Sequence, residues 1–169
     1  MGLFDMYPIV NIRRNHGLEH ATIHVLSEAD PQLSIVGRSD LNGFTLYGQI
    51  KTEAIHYASH EALRRLRDGQ AELAVHPRCG TIIATTGIMT GLAAFLAVSV
   101  SGSPRQRFRW TTIPEAILAA TFAALAAQPL GLLLQEHFTV SGQPGNLAIA
   151  GISRSPNKNM TIHRVSTRQ

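Results

Sequence analysis

The chain has 169 residues, enough for one modest folded domain and at most a small membrane part. Hydrophobic residues make up 44% and charged residues only 15%, whereas soluble domains usually carry about a quarter charged residues. The deficit is concentrated in two uncharged runs, 79–104 and 116–135. A net charge of +4 from scattered basic residues, without interleaved aromatic ones, argues against a nucleic-acid partner. A single cysteine excludes an internal disulfide.

The first predicted element is an amphipathic helix over residues 15–27. Its apolar residues lie on one side: Leu18, Val25 and Leu26. At about 100° per residue, His16, His20 and His24 span only about 80° on the opposite side, and Glu19 lies about 60° from His16. The pattern therefore predicts a helix with a histidine-rich face.

The next segments alternate between strand and helix patterns. The strands are predicted at 33–37, 44–50 and 72–76, and the second helix at 52–67. Asp68-Gly69 follows that helix with the residues that commonly end one. Toward the end of the chain, two further strands are predicted at 147–153 and 160–166, around a turn at 155–159.

The two uncharged runs predict a pair of membrane helices at 81–101 and 115–136. Each is about as long as a hydrocarbon core is thick, and neither has the polar face that a soluble helical hairpin would need. The start of the chain lacks the basic residues and long apolar run of a signal peptide. We therefore expect a lipid bilayer partner in the bacterial inner (cytoplasmic) membrane, with both termini cytoplasmic.

Together these elements predict an α+β fold, in which a small mixed sheet with two helices is interrupted by a two-helix transmembrane hairpin. Residues 1–80 form the cytoplasmic metal-binding part and residues 81–136 the hairpin. Residues 137–169 form a C-terminal β-hairpin that completes the cytoplasmic domain.

Four residues from two distant motifs are candidate metal ligands: His16, His20, His76 and Cys79. Zinc favours imidazole nitrogen and thiolate sulfur, and two histidines one helical turn apart can share an ion. Within the first motif, Glu19 stands as the general base does in inverted zinc proteases. A solvated histidine face, a haem site, and Cys79 as a nucleophile remain alternatives.

The remaining histidines are weaker candidates. His56 and His60 form another pair one turn apart, near Glu53, but Arg64 and Arg67 share their face and oppose a cation there. Three others are interpreted as structural or supporting residues: His24, His137 and His163.

Three sequence motifs resemble those of known bacterial membrane proteins. The motifs Asn15-His16-Gly17-Leu18-Glu19-His20, Gly37-Arg38-Ser39-Asp40 and His76-Pro77-Arg78-Cys79-Gly80-Thr81 resemble the family called domain of unknown function 6391. The first and last of them also resemble the YqhQ-like proteins, described as predicted metal-dependent enzymes. Either resemblance implies a membrane protein that holds a metal at His16, His20 and the 76–79 segment. One departure is Ile82, since a polar residue commonly follows the Cys-Gly-Thr element.

Two functions fit these features. The first is a membrane-anchored, zinc-dependent hydrolase or peptidase, with Glu19 as general base. The second is a non-catalytic subunit or assembly factor of a membrane complex, whose metal is structural and whose partners are other membrane protein subunits.

Overall fold

The computed structural model describes residues 6–101, 110–156 and 160–169. Its main elements are α1 (Ile9–Ala29), β1 (Val36–Asp40), β2 (Gly43–Gly48), α2 (Thr52–Arg67), α3 (Gly80–Ser101), α4 (Ile113–Leu134), β3 (Ala148–Pro156) and β4 (Thr161–Arg168). The predicted α+β class is confirmed. The chain divides into two compact units: one holds the described residues of Met1–His76 and Glu136–Gln169, and the other those of Pro77–Gln135.

The first unit contains one four-stranded sheet with the strand order β1-β2-β4-β3. Strand β4, from the C-terminal hairpin, lies beside β2 and pairs Ile162 with Tyr47. All three strand pairings are antiparallel, so the prediction of a mixed sheet was wrong. Strands β1 and β2 form a hairpin, which is antiparallel by construction. Strand β4 runs opposite to both of its neighbours, β2 and β3.

The core of this unit lies where the two helices pack on the sheet. Helix α1 contributes Leu18 and helix α2 contributes Ile55, while Phe44, Leu46 and Val165 face them from β2 and β4. All five side chains are completely buried. Burying one such side chain stabilises a fold by about 1.5–3 kcal/mol, so this layer holds the helices against the sheet.

Helix α2 occupies the residues predicted for it, 52–67. Glu53 lies in its first turn and three arginines in its last turn, which places each charge where the helix dipole favours it. Gly69 ends the segment with φ = +93°, a conformation that residues with a side chain rarely adopt. Local signals alone were sufficient to define this helix.

The bounds of α1 and β1 differ most from the prediction. Helix α1 starts at Ile9, directly after Pro8, rather than at residue 15. Asn15 therefore lies inside the helix, and its side chain bonds to residues of other segments. Strand β1 covers 36–40 rather than 33–37, because Gly37–Asp40 pair with the facing residues of β2.

The strand predicted at 72–76 was wrong. Residues Ala71–Ala74 form a 3₁₀ turn instead. The carbonyl oxygens of Ala74 and Val75 accept hydrogen bonds from imidazoles of α1, so they do not join a sheet. Apolar alternation over five residues could not reveal that competing partner.

The second unit consists mainly of α3 and α4, which pack against each other. Both are long and apolar enough to cross a membrane, and only 11% of the most apolar window of each is buried. Large apolar side chains point outward along both helices: Ile83, Ile88, Phe95, Val100, Ile117, Phe122 and Leu125. Such a surface is costly in water, which indicates association with a membrane. The connecting residues 102–109 lie outside the described residues.

One buried histidine makes the stability of the first unit depend on pH. His163 on β4 is completely buried, and its Nε2 lies 3.0 Å from Thr52 Oγ1. Burial lowers the pKa of His163, the charge of Arg154 lowers it further, and Glu53 opposes the shift. The folded protein therefore resists protonation that the unfolded chain accepts.

We expect the protein to lose stability as the pH falls below about 6.5, where an unfolded histidine begins to bind a proton. The loss should stop once the lowered folded pKa is passed. Thermal unfolding in detergent between pH 7.5 and 5 measures it. The His163→Gln variant keeps a nitrogen for Thr52 but cannot titrate, so its unfolding temperature should vary less over this range. An equal slope in both proteins would exclude His163 as the source.

Candidate metal centre

Four imidazoles gather along one side of α1. The ring centroids of His16 and His20 are 4.4 Å apart. His76, which follows the 3₁₀ turn, lies 5.7 Å from His20 and 5.1 Å from His24. An imidazole ligand has its centroid about 3 Å from the ion, so two ligands of one ion have centroids within about 6 Å. The three neighbouring pairs meet this limit.

Two of these imidazoles are oriented in the same way by main-chain carbonyls. His16 Nδ1 lies 3.0 Å from the Thr139 oxygen, and His20 Nδ1 lies 2.7 Å from the Ala74 oxygen. A carbonyl oxygen can only accept, so each Nδ1 carries the proton and each Nε2 carries the lone pair. Metal-binding histidines are typically held by such a hydrogen bond on the other ring nitrogen. One ring nitrogen of His16 lies within 4.8 Å of one of His20.

His24 is oriented the opposite way. Its Nε2 donates to the Val75 oxygen at 3.0 Å, which leaves the lone pair on Nδ1, the nitrogen nearer the helix backbone. His24 therefore secures the segment that carries His76. This geometry agrees with the interpretation of His24 as a supporting residue rather than a ligand.

Glu19 is buried beside the first strand. Its carboxylate is only 4% exposed, and it fills the place where residue 37 would have a side chain. A Cβ on Gly37 would lie 2.6 Å from Glu19 Cδ and would overlap Oε1. Gly37 is thus required for the position of this carboxylate, which links the Gly37-Arg38-Ser39-Asp40 motif to the first one.

Gly17 allows a second close approach in the histidine motif. A Cβ there would overlap the Ser141 carbonyl oxygen and would lie 3.3 Å from Ala74 Cβ. The Ser141 amide also donates to the Arg13 oxygen at 2.9 Å. Residues 139–141 therefore run directly against α1, and this contact brings the Thr139 carbonyl to His16.

Asn15 and Asp40 complete the local framework. Asn15 Nδ2 donates to the carbonyl oxygens of Asp40 and Leu41, and its Oδ1 accepts from Thr167 Oγ1. Asp40 binds the Arg164 guanidinium through both oxygens, at 2.6 and 2.7 Å. The hydrogen bond from Arg164 lowers the pKa of Asp40, so the carboxylate is ionised and its ion pair with Arg164 fixes the β1–β2 turn. These motif residues are structural.

Cys79 belongs to the second unit, directly before α3. Its thiol is buried, and its Sγ accepts from the Thr81 amide at 3.4 Å. Cys79 follows His76 by three positions in the sequence, and its role as a ligand stays a prediction.

Ile82, the departure from the family pattern, has a packing role. It is 3% exposed, and a Cβ on Gly131 of α4 would lie 2.9 Å from Ile82 Cγ1. The residue holds α3 against α4.

Sequence reasoning missed the groups that orient the imidazoles. Three of them are main-chain carbonyls, of Ala74, Val75 and Thr139, and carbonyls have no signature in a sequence. The two glycines were visible, however. A glycine inside a helix, as at Gly17, indicates a close backbone approach more often than chance.

The fold and this cluster define a class: an α+β protein with a histidine-lined helix and two helices of membrane-spanning length. A family model for domain of unknown function 6391 matches residues 11–152. An uncharacterized protein of Picosynechococcus sp. (strain PCC 7002) is 36% identical over 155 residues, which cover 85% of this chain and 72% of that protein. The chain belongs to the domain of unknown function 6391 family. No solved structure matches it, and the similarity to YqhQ-like proteins stays a prediction.

Replacing Gly17 with alanine should destabilise the protein, although alanine favours a helix interior over glycine by about 1 kcal/mol. The added Cβ would overlap the Ser141 oxygen and push residues 139–141 away from His16. We expect a cost of roughly 1–3 kcal/mol, measured as a lower unfolding temperature in detergent. Gly87→Ala is the matched control, because nothing lies within 4 Å of a Cβ there. Equal effects of both substitutions would contradict the close approach.

Proposed function

We propose that the protein is a membrane-anchored zinc protein in which His16 and His20 are the central ligands. The observation that carries this proposal is their shared orientation: each donates Nδ1–H to a main-chain carbonyl and carries its lone pair on Nε2. A solvated histidine face would not need fixed rings, and His20 is only 3% exposed.

The remaining ligands come from the second motif. His76 lies against His20, and Cys79 follows three residues later and adds a thiolate. Imidazole nitrogen with one thiolate is a donor set that suits zinc better than calcium or magnesium, which prefer oxygen.

We further propose hydrolysis, of which peptide hydrolysis is one case, as the reaction. When bound, zinc would act as a Lewis acid that polarises a substrate carbonyl and lowers the pKa of a water molecule. Glu19, adjacent to His20 and buried beside Gly37, is the group that would take the proton from that water and pass it to the leaving group. Gly37 keeps space for the carboxylate, as a base in a confined site requires.

A non-catalytic subunit or assembly factor is the second candidate. It is favoured by the hydrogen bonds of His16, His20 and His24, which already fasten two separate segments to α1. An ion shared by the same residues would reinforce that fastening without any reaction. The small residues Gly87 and Gly91, with open space around them, would let another membrane subunit pack closely on α3.

We also propose that α3 and α4 cross the bacterial inner membrane with both termini cytoplasmic. The outward apolar side chains of both helices support the membrane location. The lipid bilayer is then the first partner of the protein, and the first unit lies on the cytoplasmic side.

The metal proposal predicts that His16→Ala and His20→Ala lose bound zinc. Zinc content of protein purified in detergent, measured by mass spectrometry, checks this. His24→Ala is the matched comparison on the same helix and should lose less zinc than either variant, because its Nε2 is engaged by Val75 and it supports the His76 segment without binding the ion. Glu19→Gln should keep zinc but lose turnover of a quenched-fluorescent peptide library by at least about a hundredfold.

Each outcome separates the candidates. Wild-type zinc content in His16→Ala and His20→Ala would reject the metal centre. Zinc loss in these variants, together with no turnover by wild type or full turnover by Glu19→Gln, would reject the hydrolase and favour the structural subunit.

The orientation is tested by placing one cysteine at residue 103 in a Cys79→Ala background. We expect a membrane-impermeant maleimide to label it from the periplasmic side of intact cells, because both termini are assigned to the cytoplasm. A second protein with its only cysteine at exposed position 70 should be labelled only after the cells are opened. The reverse pattern would invert the topology.

A further inference from the structure

A second pair of histidines lies on α2, away from the first cluster. His56 and His60 are one helical turn apart, with ring centroids 4.6 Å apart and planes inclined by 35°. Both side chains are exposed, whereas Ile55, Ala58 and Ala62 of the same helix are buried. The pair therefore lies on the outer face of α2 and is separate from the imidazoles of α1.

The charges beside this pair do not oppose a cation. Arg64 is bound by Glu61 at 2.8 Å and also by Asp68. Hydrogen bonds from Arg64 and Arg65 lower the pKa of Glu61 to about 2, so it is ionised at neutral pH. Arg67 instead turns to the Leu147 carbonyl oxygen, at 2.8 Å. The objection that two arginines share this face is removed.

The same face has room for an ion and an acidic residue nearby. Glu53 lies one turn before His56, so a carboxylate and two imidazoles follow one another along the helix. They line an open cleft of about 620 Å³ together with Thr52, Tyr57, Glu61 and Arg64. Ring centroids 4.6 Å apart are within the limit of about 6 Å for two ligands of one ion, and water can occupy the other positions.

We propose that His56 and His60 form a second site for a divalent transition metal ion, with water in its other coordination positions. Two imidazoles suit zinc, nickel or copper. The ligands are exposed on one helix and need no rearrangement of the core, so the ion exchanges readily with solvent. This site is independent of the proposed zinc centre and of its reaction.

The experiment uses the full chain in detergent, freed of metal with a chelator and titrated with Ni²⁺ by calorimetry at pH 7.5. Wild type should bind one more Ni²⁺ per chain than His56→Ala/His60→Ala. Each single substitution should weaken this site by roughly tenfold or more, since one of two imidazoles is lost.

The control is His56→Ala/Gln70→His, which keeps the number of histidines but moves one beyond the end of α2. This variant should not bind the additional Ni²⁺ that wild type binds. Both the double alanine variant and this control should unfold at the wild-type temperature, because the replaced side chains are exposed. His16→Ala should keep the α2 ion even where it loses zinc.

Three results would overturn the proposal. The first is wild-type stoichiometry in His56→Ala/His60→Ala, and the second is recovery of binding with histidine at position 70. The third is loss of the α2 ion in His16→Ala, which would place that ion at the first cluster.

Discussion

The first unit depends on one constraint: a largely buried helix carries polar side chains that must find hydrogen-bond partners. An unsatisfied buried polar group costs roughly 1–3 kcal/mol, and α1 buries Asn15, Glu19, His20 and Thr22. Thr22 bonds within its own helix, to the Leu18 oxygen. Asn15 and His20 reach outward, to the β1–β2 turn and to the turn before His76. The surrounding segments are therefore positioned by hydrogen bonds to the polar side chains of α1 as much as by apolar packing.

The sequence predicted elements whose signals are local. Helix α2 has an amphipathic pattern, acidic and basic ends and a terminal glycine, and its predicted bounds agree with the structure. The strands that became β2, β3 and β4 were also located to within a few residues. The strand prediction for residues 72–76 failed because it rested on apolar alternation alone. The hydrogen-bond partners of this segment, His20 and His24, lie about fifty residues earlier. Such long-range competition for hydrogen bonds is not encoded in a short window.

Candidate residues were predictable from spacing, but their roles were not. The i, i+4 spacing brought His16 and His20 together, and the second motif placed His76 beside them. Spacing could not distinguish His24, whose Nε2 is engaged by a carbonyl, from the other two. Nor could it show that Asn15, the first residue of the motif, is structural. Which ring nitrogen holds the proton is determined by the fold, and in the proposed centre it distinguishes the ligands His16 and His20 from the supporting His24.

This arrangement also bears on the role of an ion. In small zinc domains the ligands assemble only on metal binding, so the binding energy is folding energy. Here His16 and His20 are oriented by hydrogen bonds through Nδ1, and a lone pair on Nε2 takes no part in those bonds. In the proposed centre, loss of zinc would thus leave the carbonyl contacts and the apolar core in place. A centre whose scaffold is stable by itself can exchange its ion or keep a coordination position open. These hydrogen bonds fit either proposed function, so Glu19, confined by Gly37, is the residue on which the distinction depends.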